Sequence, residues 1–224
     1  KSQTRAANVM DDPPKNQTQK RRAIIDVGSN SVKLLIADVV KGVVTPLVHE
    51  GEQTRLGRGV FETGQLAPEA IADTARAVAA FAAKAKGQGA TNVRVFATSA
   101  AREAANGDEL AAAIAEGGLE LEIIDGQTEA GLVLRGVRSL PDLAEGPLAI
   151  IDVGGGSTEL LVADATALRL QHSFALGTVR WLESFPVSDR DQLVLSAVHD
   201  QYRALGLLQI LLRVVAKARQ PPGW

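Results

Sequence analysis

Two nine-residue segments of this 224-residue chain are identical at seven positions, and their residue types suit the binding of phosphate. Residues 23–31 read AIIDVGSNS and residues 149–157 read AIIDVGGGS. Glycine and serine after a buried strand let backbone N–H groups and hydroxyls converge on an anion without obstruction by Cβ atoms. Asp26 and Asp152 end the two strands, where a carboxylate would hold a divalent cation that bridges to the phosphate. The repeat therefore predicts two loops that bind phosphate together with a cation, and magnesium is the preferred ion.

The repeat extends beyond the loops and indicates a duplicated architecture. Residues 34–38 (LLIAD) in the first copy correspond to residues 160–164 (LLVAD) in the second. A single glycine-rich loop also suits a flexible turn, and an aspartate at a strand end also suits turn capping. Two copies with the same flanking strands favour ligand binding over these alternatives. The chain is therefore predicted to contain two related half-molecules.

The composition excludes several classes of function. With a net charge of −2, the protein as a whole does not attract nucleic acid or an anionic membrane. Anions must therefore be bound by particular groups at a local site. The lack of cysteine excludes disulfides, thiol catalysis and zinc–thiolate sites, and it suits a reducing cytoplasm. His49, His172 and His199 are too far apart in sequence to show ligand spacing. The sequence contains no stretch as long as a membrane span, and its start lacks the apolar core of a signal peptide.

The first loop is predicted to lie in a mixed sheet with helices on its faces, in the order βββαβαβα. Lys41 and Gly42 form a predicted tight turn, Pro68 begins a helix, and Thr98 and Ser99 are expected to cap another. The predicted strands are residues 23–27, 32–40, 43–50, 92–97 and 121–124, and the predicted helices are residues 68–86, 100–115 and 126–137.

The second half begins in the same way and then departs from the pattern. Strands are predicted at residues 148–152, 157–163 and 168–175, followed by a short helix at residues 177–185. One or two helices then replace the expected βαβα run, so the second sheet should leave apolar edges exposed. The predicted organisation is a disordered tail (1–22), a first domain (23–138), the start of a second domain (147–188) and an atypical helical segment (189–224).

Several motifs together resemble those of the exopolyphosphatase and guanosine pentaphosphate phosphohydrolase (Ppx/GppA) family. They are residues 26–31, 55–57 (RLG), 97–102 (ATSAAR), 126–130 (GQTEA), 152–159 (DVGGGSTE) and 176–180 (LGTVR). The resemblance covers about residues 23–187. It implies an α/β, actin-like (ribonuclease H-like) fold of duplicated βββαβαβα domains, here with an incomplete second domain, and phosphate held in the cleft between the halves.

The resemblance also implies roles for individual residues. Glu129 corresponds to the catalytic glutamate, the general base for the water that attacks the terminal phosphorus. Its alternative role is a carboxylate that interacts with the dipole of its own helix. Arg102 corresponds to a phosphate-binding arginine, whose alternative is a surface charge beside Glu103. Arg55 and Arg180 suit either contact with a polyphosphate chain or a solvated surface.

The remaining predicted site residues bind phosphate or metal. Asp152 and Glu159 correspond to acidic positions associated with the metal, and together with Asp26 they are the predicted metal ligands. Glu159 also suits an alternative role as an outward-facing strand residue. The predicted phosphate-binding residues are Gly28, Ser29, Asn30, Ser31, Thr98, Ser99, Arg102, Gly154, Gly155, Gly156, Ser157 and Thr158.

The leading prediction is a cytoplasmic hydrolase that requires Mg²⁺ or another divalent cation. It would release terminal phosphate from inorganic polyphosphate or guanosine pentaphosphate, an activity connected with the stringent response. The alternatives are a non-catalytic protein that binds polyphosphate or guanosine tetraphosphate and, less favoured, an actin-like ATPase or kinase. The predicted partners are these phosphate compounds, without DNA or membrane, and the resemblance implies pairing into a homodimer.

Overall fold

The computed structural model describes residues 20–184, so residues 1–19 of the predicted tail and the predicted helical segment 189–224 lie outside the described residues. The strands in this part of the chain are β1 (Lys20–Val27), β2 (Val32–Val40), β3 (Val43–Glu52), β4 (Asn92–Ala97), β5 (Leu121–Ile123), β6 (Leu148–Val153), β7 (Thr158–Ala163) and β8 (Leu168–Phe174). Its helices are α1 (Val60–Thr63), α2 (Pro68–Gly87), α3 (Ser99–Glu103), α4 (Gly107–Ala115), α5 (Gly126–Arg138) and α6 (Thr178–Ser184), with a 3₁₀ turn at Pro141–Leu143.

The first five strands form one sheet with the order β3-β2-β1-β4-β5. β1, β2 and β3 are antiparallel neighbours, whereas β4 and β5 run parallel to β1. The hairpin between β2 and β3 turns at Lys41 and Gly42, whose φ angles of 49° and 84° are those that a two-residue turn of this kind requires. The mixed sheet predicted from the sequence is therefore confirmed.

The helices cover this sheet and bury its apolar residues. α2 has Pro68 at its first position, Glu69 in its first turn and Lys84 and Lys86 in its last turn, which suits the helix dipole. The fully buried side chains beneath the helices include Ile25, Leu34, Ile36, Leu110 and Ile114. The central strand β1 is therefore anchored in the core, and its carboxyl end holds the first loop in a defined place.

The single helix predicted at residues 100–115 is two helices, α3 and α4. The Asn106 side chain accounts for the break, because its Nδ2 donates to the Leu66 carbonyl (3.1 Å) and its Oδ1 accepts from the Leu66 N–H (2.8 Å). A Cβ on Gly107 would also come 2.6 Å from the Ala101 carbonyl oxygen, so the chain can turn this closely only at glycine. The prediction was wrong because helical periodicity along one segment does not report contacts with a distant one.

Two smaller predictions are also corrected by the structure. β1 begins at Lys20 rather than at residue 23, because Arg21 makes two bonds of 2.8 and 3.0 Å to the Asp38 carboxylate on β2. The first residues of β1 therefore belong to the sheet rather than to the predicted tail. Thr98 occupies the N-cap position of α3, but its side chain makes no capping hydrogen bond.

The last three strands form a separate antiparallel sheet with the order β6-β7-β8. Leu160 and Leu161 on β7 are buried, whereas Ile151 and Val153 on β6 are 46% and 56% exposed. Within residues 20–184, β6 pairs only with β7. The apolar edge predicted for the second sheet is therefore present in this part of the chain.

The two copies of the repeat fold alike. The Gly28 N–H donates to the Ser31 carbonyl at 3.0 Å, and the Gly154 N–H donates to the Ser157 carbonyl at 2.9 Å. Each loop thus closes with the same hydrogen bond between an antiparallel strand pair.

None of the helices described between residues 20 and 184 has the length and apolar character that crossing a bilayer requires.

Candidate functional site

The two repeated loops lie against each other and against the start of α3. A Cβ on Gly155 would come 2.9 Å from the Ser29 Cβ, and one on Gly156 would overlap Ser99 and the Phe61 ring. Only glycine permits the second loop to approach the first this closely. The structure therefore brings together three of the segments that were predicted to bind phosphate.

Several predicted phosphate-binding hydroxyls hold these segments in place. Ser29 and Ser99 are buried, and their Oγ atoms are 3.0 Å apart in a mutual hydrogen bond. The Thr158 Oγ1 donates to the Leu176 carbonyl at 2.6 Å. These hydroxyls therefore already have protein partners. Contact between phosphate and the loops, chiefly through backbone N–H groups, stays a prediction.

Each loop is supported by a neighbouring glycine, Gly57 in the first half and Gly177 in the second. The sequence did not lead us to expect that these two glycines have equivalent positions. The Gly57 N–H donates to the Ser29 carbonyl at 2.7 Å, and Gly57 lies close enough that a Cβ would come 2.8 Å from the Ser29 Cβ. In the second half, a Cβ on Gly177 would overlap the Gly155 carbonyl. Both glycines follow a leucine, so the shared Leu-Gly dipeptide is the signal that could have revealed them.

α3 and α5 bring Arg102 and Glu129 together. The Arg102 Nη1 donates to the Glu129 Oε2 (3.2 Å) and to the Ile124 carbonyl (2.8 Å). The two side chains are 22% and 19% exposed. Asp125 caps α5 by accepting a 2.6 Å bond from the Thr128 N–H, which fixes the first turn that carries Glu129. The predicted base and the predicted phosphate-binding arginine are therefore direct partners.

The surroundings of Glu129 raise the pKa of its carboxyl group. Burial raises its pKa to about 7, and the nearby charges of Glu159 and Asp26 act in the same direction, while Arg102 opposes them. A carboxylate with a pKa near neutrality accepts a proton more readily than an ordinary glutamate does. The site thus contains a carboxylate suited to removing a proton from water.

Further carboxylates lie around Glu129. Asp152 and Glu159 are directly opposite each other on β6 and β7, whereas the equivalent pair in the first copy is Asp26 and Lys33. Glu159 is only 1% exposed and accepts a 2.8 Å bond from the Ser173 Oγ, so the outward-facing alternative is wrong. Burial raises the pKa of Asp26. The charge of Lys33 acts to lower this pKa, and the charge of Asp152 acts to raise it. Like charges opposite each other in a sheet are destabilising, and a bound cation would relieve this.

In the described part of the chain, the carboxylates near the loops do not form a metal-binding cage by themselves. Within residues 20–184, no group of three or more acidic or histidine side chains is placed to hold a metal ion alone. Mg²⁺ keeps several waters and takes one or two carboxylates together with phosphate oxygens. Two of the three predicted ligands Asp26, Asp152 and Glu159, completed by waters and phosphate oxygens, would correspond to that mode. Their assignment as metal ligands stays a prediction.

A cavity of about 490 Å³ is lined by residues that bond to two of these carboxylates, since Arg102 bonds to Glu129 and Ser173 bonds to Glu159. Arg102 and Ser157 line it, together with Asp125 at the start of α5 and Ser173 on β8. Both halves of the molecule therefore contribute to its walls. The Arg55 N–H donates to the Asn30 carbonyl of the first loop at 3.0 Å, and Arg55 also lines a second cleft with both acidic and basic side chains.

Replacing Gly156 with alanine should destabilise the protein. Because a Cβ there overlaps Ser99 and Phe61, we expect the free energy of unfolding to fall by about 1–3 kcal/mol. Gly136→Ala is the matched control, since Gly136 lies in α5 with open space around it, and it should gain about 0.5–1 kcal/mol from helix propensity. Urea unfolding of both variants measures this. Equal stability of the two variants would contradict the described packing of the loop.

Comparisons with known proteins show which family this chain resembles. A family model described as the Ppx/GppA phosphatase family matches residues 35–205. Exopolyphosphatase 2 of Mycobacterium tuberculosis is 38% identical over 179 residues, which cover 75% of this chain and 56% of that protein. The chain therefore spans about half the length of this curated relative.

Solved structures are similar over much of the chain. An exopolyphosphatase from Cytophaga hutchinsonii superposes with a TM-score of 0.77 at 27% identity, over 85% of this chain and 62% of that one. A Ppx/GppA family member from Aquifex aeolicus gives a TM-score of 0.64 at 32% identity, over 74% of this chain and 54% of that one. Together with the sheet order, these likenesses confirm the predicted α/β, actin-like fold class.

Proposed function

The chain belongs to the Ppx/GppA phosphatase family, and we propose that it hydrolyses the terminal phosphoanhydride bond of inorganic polyphosphate. Guanosine pentaphosphate, which ends in the same type of bond, is the second substrate of this proposal. The observation that carries it is the half-buried pair of Arg102 and Glu129 beside the two loops, with the pKa of Glu129 at about 7. The relative from Mycobacterium tuberculosis, named as an exopolyphosphatase, supports the choice of polyphosphate.

The proposed reaction is the attack of water on the terminal phosphorus. Glu129 takes a proton from the water as its oxygen bonds to phosphorus, and the bond from that phosphorus to the bridging oxygen breaks. The products are orthophosphate and a chain shorter by one phosphate. In the described part of the chain only the Nη1 of Arg102 is engaged, so its other N–H donors can bind the transferred phosphoryl group.

The loops and carboxylates have complementary roles in this proposal. Backbone N–H groups of residues 29–31 and 155–157 would bind phosphate oxygens, as would the N–H groups at the start of α3, whereas the Gly28 and Gly154 N–H groups close the loops. Asp26, Asp152 and Glu159 would hold Mg²⁺ or another divalent cation. When bound, the cation neutralises charge on the phosphate oxygens.

The proposal predicts a specific pH dependence. Because only the ionised carboxylate accepts a proton, kcat/KM should fall about tenfold for each pH unit below an inflection near the Glu129 pKa of about 7. Initial rates of phosphate release between pH 5 and 9 (a range of about two units on either side) measure this. An inflection near pH 4, the range of an ordinary carboxyl group, would contradict the assignment of Glu129 as the base.

The test of the function is phosphate release from the two substrates. The protein is incubated with polyphosphate of defined length or with guanosine pentaphosphate in the presence of Mg²⁺, and orthophosphate is measured over time. Release from polyphosphate supports the proposal, and the ratio of the two rates determines the preferred substrate. Binding of polyphosphate without release by the folded protein would favour the non-catalytic alternative. The cytoplasmic location, the homodimer and the connection with the stringent response stay predictions.

A further inference from the structure

Arg180 on α6 joins the second loop to the first half of the molecule. Its Nε donates to the Gly156 carbonyl (2.9 Å) and its Nη2 to the Glu103 Oε2 (2.5 Å), while its guanidinium lies 4.0 Å from the centre of the Phe61 ring. The side chain is 17% exposed. Arg180 is therefore not a solvated surface residue. Glu103 forms its ion pair with Arg180, so the alternative in which Arg102 is a surface charge beside Glu103 is not supported.

The helix that carries Arg180 is attached at a second point. Glu183, one turn further along α6, accepts a 2.5 Å bond from the Gly59 N–H at the start of α1. The backbone of α6 also holds the second loop, since the Val179 N–H donates to the Gly155 carbonyl at 2.8 Å. Side chains and backbone of α6 thus connect the second loop to α1 and α3.

We propose that Arg180 is a positioning residue for phosphate binding, an inference that rests on the proposed function. By holding the Gly156 carbonyl, it orients the second loop so that the N–H groups of residues 155–157 face the site shared with the first loop. The planar guanidinium can donate in two directions while its face rests on Phe61. A lysine ammonium lacks this planar fork, so it cannot maintain all three contacts at once.

The test combines hydrogen exchange with kinetics on Arg180→Met and Arg180→Lys. A hydrogen bond from a charged donor is strong enough to slow local opening, so both variants should exchange the hydrogen-bonded amides that hold the second loop, those of Gly154, Thr178 and Val179, about tenfold faster than wild type, without substrate present. Misplacing the loop should lower kcat for polyphosphate by about 10- to 100-fold, with a smaller change in KM. Circular dichroism and the thermal midpoint establish that each variant is folded.

Two further variants sharpen the comparison. Glu103→Gln, which weakens one of the three contacts, should give an intermediate increase in exchange. Arg169→Met is the matched control, because Arg169 is 59% exposed and pairs with Asp164 away from the loop. It should leave both loop exchange and kcat at wild-type values.

The outcomes separate this inference from the proposed function. Unchanged loop exchange in both Arg180 variants would overturn it, as would full rescue of exchange and kcat by lysine. A rise in KM that depends on salt, with kcat and loop exchange unchanged, would assign Arg180 to direct contact with substrate and also overturn it. A wild-type protein that releases no phosphate would contradict the proposed function, and the exchange measurements would still decide the role of Arg180.

Discussion

Replacing Glu129 with glutamine should lower kcat for phosphate release by about 10²- to 10⁴-fold, the usual contribution of a positioned general base. Glutamine has nearly the same shape and still accepts a hydrogen bond from Arg102, so the ion pair is replaced by a hydrogen bond between the charged guanidinium and a neutral amide. It cannot accept a proton from water at neutral pH. We therefore expect the folded structure and polyphosphate binding to persist while turnover is lost.

Glu122→Gln provides the matched control for this variant. Glu122 lies on β5, is 40% exposed and pairs with Arg94 at 2.7 Å, so it also belongs to a glutamate–arginine pair. Its ion-pair partner Arg94 is not among the predicted site residues, and substitution of Glu122 should leave kcat unchanged. Comparable activity of Glu129→Gln and Glu122→Gln, with circular dichroism unchanged in both, would contradict the role of Glu129 as the base.

Replacing Arg102 with methionine should reduce kcat/KM by about 10²- to 10³-fold, as expected for the loss of one charged donor to the transferred group. A second effect comes from its partner. Arg102 lowers the pKa of Glu129 in the native protein, so its removal should move the inflection of the pH profile upward from about 7. Initial rates measured across pH report both effects in one experiment.

Arg94→Met is the corresponding control, because Arg94 makes a two-bond ion pair with Glu122 at 2.9 and 2.7 Å. Its removal deletes an arginine–glutamate pair outside the site. We expect unchanged kcat/KM and an unchanged pH profile. A downward shift of the inflection in Arg102→Met would contradict the electrostatic coupling between Arg102 and Glu129.

Local patterns were sufficient to predict most strands and helices. β2 and β4 begin and end at the predicted residues, because apolar stretches bounded by turn residues are a property of one segment. The errors arise where distant segments meet. Asn106 divides a predicted helix through its bonds to Leu66, and Arg21 extends β1 through its bonds to Asp38. Tertiary contacts of this kind leave no periodic signal in the sequence.

The residues of the candidate site were predictable from the sequence, but the contacts between them were not. The repeat identifies both loops, and the resemblance of the motifs points to Glu129 and Arg102. The contacts across the two halves were not predictable, since the bond between Ser29 and Ser99 joins residues 70 positions apart. The anchoring of Arg180 on Glu103 spans 77 positions. A sequence motif identifies residues that are able to bind phosphate or transfer a proton. Their hydrogen-bond partners depend on how the two sheets pack.

The measurement that tests the central claim most directly is phosphate release from polyphosphate in ¹⁸O-labelled water with Mg²⁺ present. If Glu129 activates water against the terminal phosphorus, each released orthophosphate should carry one oxygen from water, and the shortened chain should carry none. Release of orthophosphate without the label would contradict this account. Absence of release from folded protein that binds polyphosphate would contradict it as well.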